Sequence, residues 1–400
     1  MLAGVGAACS SNNTSGATGS GGKSGGGSGG SVGSGGTTDG AVMDGPKDNG
    51  FSSDGDPCPT FAGNAAPAAA ADMVTFQTGV TVSTFSGSSN YGNMDGDAAS
   101  ASFENPVGVL IEAAGTLLVS DYDNNLIRRV AADGSVTTVT KQDGFQQPFG
   151  LGYGKNGTLY VSTDYDPAGQ KNPQSGTLWT LDPTSGMATV LKADMGRARS
   201  FMAMTDGRLL FSNYEDNRIN LFDPTSGAIS SVAGGGLVGC SGSFADDTGT
   251  QAAFSAPYGI VVLSDGRIIV ADRGNHRLRQ VTVDGMVTTF AGDGGVGAID
   301  GPLLQARFNG PKALAVDAHD NIFVSDDLGY RIRRVGADGM VTTIAGTGVA
   351  GWKDGDGAQA QFFGQEGLAL SADASTLFVA DGTAGDDNHY NRIRKIQLGP

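Results

Sequence analysis

Four aspartates, Asp121, Asp272, Asp326 and Asp381, each end a Val-x-Asp run, and each is followed by an (Arg or Leu)-(Ile or Leu)-Arg step. Carboxylates and guanidinium groups at such spacing can form charge-assisted pairs. Asp272 and Arg277 stand five positions apart, as do Asp326 and Arg331, and Arg392 follows Asp381 after an insertion. We expect each carboxylate to fix that Arg and nearby backbone N–H groups across a turn. A catalytic centre need not recur in four copies, so the recurrence argues for a structural role. A second series, Asp95, Asp246, Asp300 and Asp354, precedes Phe103, Phe254, Phe308 and Phe362 by eight positions. This spacing suggests an N-capped single turn with the Phe packed inward. Calcium is the alternative for these carboxylate-rich loops, although no EF-hand pattern is present. No GxSxG elbow and no CxxC occur, so neither a serine hydrolase nor a structural zinc site is indicated.

The elements that carry these residues repeat. PVGVLIEAAGTLLVSDYDNNLIRRVAADGSVTTVT at 106–140 returns at 257–292 and 311–346 with the same frame. A fourth good copy begins at Gln365, and two degenerate copies lie between 148 and 233. Each copy holds four short apolar runs split by Gly, Asp and Asn, which reads as a meander of four antiparallel strands. Six such sheets cover one another's faces only when stacked around an axis, so the chain is expected to be an all-β, six-bladed β-propeller. The last copy lacks its fourth strand, while residues 79–87, GVTVSTFSG, look like an orphan one. This N-terminal strand should close the final blade.

Residues 1–50 contain 17 Gly and 8 Ser, a composition that cannot offset its ordering entropy. We place a flexible linker at 1–78 and the propeller at 79–400. The start, MLAGVGAACSS, resembles the end of a bacterial lipoprotein signal peptide, which would make Cys9 a lipidation site and the protein exported to the cell envelope or secreted. Cys58 and Cys240 would then remain for a disulfide in an oxidising compartment or stay as free thiols. The net charge of −16 disfavours nucleic acid, which is held mainly by Lys and Arg. No run of 18 apolar residues exists, so contact with a membrane is expected only through an N-terminal lipid.

The frame Pro-x-Gly, Val-x-Asp, then Asn-x-Arg-(Ile or Leu)-Arg resembles the NHL repeat. Family members include RNA-binding, protein-binding and enzymatic proteins, so the resemblance implies a six-bladed propeller without naming a function. Related lyases hold zinc on the axis with several histidines. Here His276 and His389 fall in turns after the second strand, and His319 falls in a turn at the opposite end of the sheet, so one metal cannot gather all three. No metal and no cofactor are predicted.

Aligning the copies places Val107, Phe149, Arg199, Tyr258, Lys312 and Glu366 at the start of the first strands, around one mouth of the central channel. These residues either plug the channel or shape a site, and Lys312 and Glu366 should be close enough to pair. The insertions at 167–175 and 382–390 would wall the same face. The expected function is a monomeric, exported binding scaffold for a protein or glycan, with no catalytic residue assigned. The alternative is a lyase or lactonase-like hydrolase working near Glu366, Arg199 and Tyr258.

Overall fold

A computed structural model describes residues 71–112, 115–172, 174–235, 244–382 and 390–399 of the chain. Cys9, Cys58, Cys240 and His389 lie outside the described residues, and so do the lipidation and disulfide expectations.

Six antiparallel meanders form the blades. Their innermost strands are Pro106–Ile111, Pro148–Tyr153, Ala198–Ala203, Pro257–Val262, Pro311–Val316 and Gln365–Leu370. Each innermost strand contacts those of its two neighbours, and blade six returns to blade one. The fold is a six-bladed β-propeller of four-stranded sheets. Proline opens four of the innermost strands because their inward edge pairs with no other strand, so a missing N–H is tolerated there. In four of the six strands the third residue is a glycine, Gly108, Gly150, Gly259 or Gly367, which allows close approach. A Cβ on Gly259 would lie 2.6 Å from the Lys312 carbonyl of the next blade, and one on Gly367 would lie 2.5 Å from that of Val107.

The chain closes on itself as the sequence suggests. Thr81–Ser86 pairs antiparallel with Arg392–Gln397 of blade six, in the register Val82 to Ile396 and Thr84 to Arg394. The packed chain begins earlier than residue 79. Residues 72–78 run along the outer edge of blade five, where the Met73 N–H donates to Ala298 O at 2.8 Å and the Gln77 N–H to Thr343 O at 3.1 Å. Asp72 takes a bond from Arg331 Nη2 at 2.8 Å.

The repeated Asp and Arg form one device, with a different partner from that expected. Asp272 binds Arg279 at 2.7 Å, not Arg277. Asp121, Asp326 and Asp381 likewise bind Arg128, Arg333 and Arg394 at 2.7, 3.1 and 2.8 Å. Arg277 turns instead to backbone carbonyls, Arg331 to backbone carbonyls and to Asp72, and Arg392 lies over the Trp352 ring. The other nitrogen of each buried guanidinium reaches the loop aspartate: Arg128 to Asp95, Arg279 to Asp246, Arg333 to Asp300 and Arg394 to Asp354, all at 2.6–2.7 Å. These loop aspartates therefore do not cap a turn. They clip the loop to the outer strand, as where the Thr138 N–H donates to Asp95 at 3.0 Å. Capping falls to Asp97 and Asp356, two residues downstream. Phe103, Phe254, Phe308 and Phe362 lie under the guanidinium groups, fully buried. Each such ring contributes roughly 2–3 kcal/mol through burial.

Candidate functional site

The innermost strands enclose a cavity of about 530 Å³, and Val107, Phe149, Arg199, Tyr258, Lys312 and Glu366 all line it. Each is the second residue of its strand, so they share one end of the channel. Alignment of the strand starts alone misses a second ring at the same end. The residue just after each Val-x-Asp position, or its equivalent in the degenerate copies, is Tyr122, Asp164, Tyr214, Arg273 or Asp327. These begin the turns between second and third strands, and their side chains interlock with the first ring. The signal was present in the aligned repeats, as a variable position beside an invariant-looking aspartate.

Two clusters result. In the first, Arg199 grips Asp164 with both terminal nitrogens, at 2.5 and 3.2 Å. Its guanidinium lies 4.1 Å from the Phe149 ring centre and 5.3 Å from that of Tyr214. Tyr122 donates its hydroxyl to Asp164 at 2.6 Å. Burial alone would raise the Asp164 pKa, but the Arg199 charge and the bonds from Arg199 and Tyr122 hold it below the ordinary value. Lys171, on the insertion of blade two, adds a cation 3.8 Å from Asp164 and a bond to Gln147. In the second cluster Lys312 donates to Glu366 at 2.6 Å and to Asp327 at 3.4 Å. Arg273 reaches Asp327 at 3.1 Å. Burial disfavours the Lys312 ammonium, yet its two carboxylates raise its pKa above the usual lysine value. Tyr258 stands between the clusters, with Arg199 and Lys312 near its ring.

The described histidines bond to none of the side chains in these two clusters. His276 accepts a bond from the Gly310 N–H at 3.1 Å, and His319 is exposed in a turn at the other end of the sheets. Among the described residues no group of three metal-ligating side chains converges. Asp95 and Asp354, the carboxylates considered for calcium, face arginines. Chemically, the mouth is a layer of mutually neutralised charges flanked by half-buried tyrosines.

Residues 254–281 match the NHL repeat. The chain carries the NHL repeat on a six-bladed propeller. Human NHL repeat-containing protein 2 is 23% identical over 329 residues, which cover 78% of this chain and 42% of that protein. The chain spans less than half the length of the curated relatives it matches. Among solved structures, a Bacteroides thetaiotaomicron protein of unknown function is 24% identical with a TM-score of 0.62, covering 80% of this chain and 76% of its own. An auxiliary nutrient binding protein from Bacteroides ovatus is 20% identical with a TM-score of 0.62, covering 80% and 77%. At these identities the likeness establishes the fold.

Proposed function

We propose that the protein is an exported or surface-tethered binding scaffold that recognises a protein or glycan at the face carrying the channel mouth. The carrying observation is the state of the ionic groups there. Arg199 is matched by Asp164, and Lys312 by Glu366 and Asp327. An acid or base at work in catalysis needs a perturbed group with open access to substrate. Here the charges are spent on one another, while aromatic and polar side chains around them remain half-exposed. Export is supported by the Gly/Ser-rich segment after Cys9 and by the nutrient-binding description of the Bacteroides relatives. A net charge of −16 supports a partner other than nucleic acid.

The test is direct. Tyr165, half-buried at the start of the blade-two insertion, lies with its ring 5.5 Å from the Lys171 ammonium; wild-type protein and a Tyr165→Ala/Lys171→Ala variant are immobilised and titrated with envelope polysaccharides and envelope proteins as separate pools. Lactone and glycoside turnover is assayed in parallel. Saturable binding that the variant weakens at least tenfold, at unchanged melting temperature, supports the scaffold. Turnover by the wild type, or no saturable binding of either pool, contradicts it.

A further inference from the structure

The chain has nine tyrosines. Six of them, Tyr122, Tyr165, Tyr214, Tyr258, Tyr330 and Tyr390, lie at the channel-mouth end of the ring, and all six are half-buried. They form two aromatic arrays. Over blades one to four, Tyr122 packs edge-on against Phe149 at 5.9 Å, and Tyr214 against Tyr258 at 5.1 Å. Over blades five and six, Tyr330 lies 6.4 Å from Phe363, and Phe363 stacks on Tyr390 at 4.9 Å with an interplanar angle of 9°. Hydrogen-bonding groups border the first array, with Lys171, Gln147 and Asp123 at its margin.

Tyr330 holds its place against a backbone preference. Its φ is 50°, in the left-handed region. The equivalent turn position holds Asn125 in blade one, Asn217 in blade three and His276 in blade four, with φ of 60°, 52° and 52°. Asn suits this conformation, whereas a bulky aromatic residue there is an outlier. Such strain gathers where a side chain is needed for function.

Building on the binding role proposed above, we propose that this face binds neutral polysaccharide, with Tyr330 and the Phe363–Tyr390 stack as platforms for pyranose rings. A pyranose presents an apolar C–H face that lies flat on an aromatic ring and an edge of hydroxyls that meets planar polar groups. The aromatic faces belong to Tyr330 and the Phe363–Tyr390 stack, and the planar polar groups, Gln147 and Asp123, border the other array over blades one and two, so a polymer lying across the mouth meets both. A peptide ligand would look for an open strand edge or an aliphatic groove, yet the one aliphatic member of the first ring, Val107, is only 3% exposed. Acidic polysaccharide is disfavoured, because the mouth cations are already paired and the chain is strongly anionic.

Affinity electrophoresis of the full chain through gels containing glucan, mannan or xylan, and through alginate or polygalacturonate, provides the test. At least one neutral polymer retards the wild type, and the acidic polymers do not. Tyr330→Asn weakens retardation at least tenfold while its melting temperature stays equal or rises. Tyr330→Phe binds within about twofold of wild type. Absence of retardation by every neutral polymer, preference for an acidic one, or wild-type binding by Tyr330→Asn would overturn the glycan assignment. If an envelope protein binds through Tyr165 and Lys171 while no glycan does, the ligand class fails and the scaffold role stands. If neither pool binds, both fail.

Discussion

The Thr84 N–H donates to the Asp354 carboxylate at 2.9 Å across 270 positions of sequence. In blades one, four and five the same bond joins residues 43 apart: Thr138 to Asp95, Thr289 to Asp246 and Thr343 to Asp300. The N-terminal strand thus enters blade six with the clip that the other good repeats build locally. Arg394, between Asp381 and Asp354, completes it. The residues at the mouth come from all six blades, so their common location depends on this closure.

The clip assigns different weights to the two arginines of each Arg-x-Arg step. Arg279→Met leaves the buried Asp272 carboxylate without its cation, with bonds only from the Ser255 N–H and the Asn275 amide, and should destabilise the domain by about 3–5 kcal/mol. Arg277→Met removes bonds to the Asn275 and Asp293 carbonyls and should cost about 1 kcal/mol. Urea denaturation of the two variants measures the difference. Equal losses would contradict the assignment.

Which arginine pairs was not legible from spacing. Asp272 lies opposite Arg277 in the strand register, which makes that pair the natural expectation. Arg279 projects from the same face two residues on and reaches the carboxylate diagonally, while Arg277 at the strand end is free to reach the next loop. Blade number and the closing strand were legible, because Val-x-Asp and Val-Thr-Thr recur with turn residues between them. The 72–78 strap was not, because it belongs to no repeat and is held by backbone bonds and Asp72. Half of the mouth was legible for a similar reason: strand starts align on proline, whereas the second ring changes residue type from blade to blade and at Asp164 opens a long insertion.

Blade six contains one position where the sequence departs from the fold's preference. Gln365 stands where four other blades have proline, and both its side-chain amide nitrogen and oxygen are buried without a partner among the described residues. Gln365→Pro removes those groups and restricts the unfolded chain, so stability should rise by about 1–2 kcal/mol. A lower urea midpoint in this variant would show that the glutamine N–H has an essential partner.

Carboxyl titration separates two kinds of aspartate. Burial pushes Asp121 and Asp326 up to about 6, more than their arginines pull them down. Their folded pKa exceeds the unfolded value of about 3.9, so their contribution to stability is complete below that value and is lost as pH rises through about 6. Asp373 is the reverse: exposed, and held at about 2 by bonds from Ser371 and Ser375. Its contribution is present above the unfolded value and is lost as pH falls through about 2. Carbon-detected NMR of the carboxyl groups should give midpoints in this order. A midpoint near 4 for all three would contradict it.

Ring closure by Thr81–Ser86 is tested most directly by melting two truncated proteins side by side. Deleting 79–87 should lower the melting temperature by at least 10 °C or abolish cooperative unfolding, since it removes a whole strand from blade six. Deleting 10–60 should leave the melting curve within a degree or two of wild type. Superimposable curves for the two truncations would mean that the ring does not depend on the N-terminal strand, and the shared mouth would lose its structural basis.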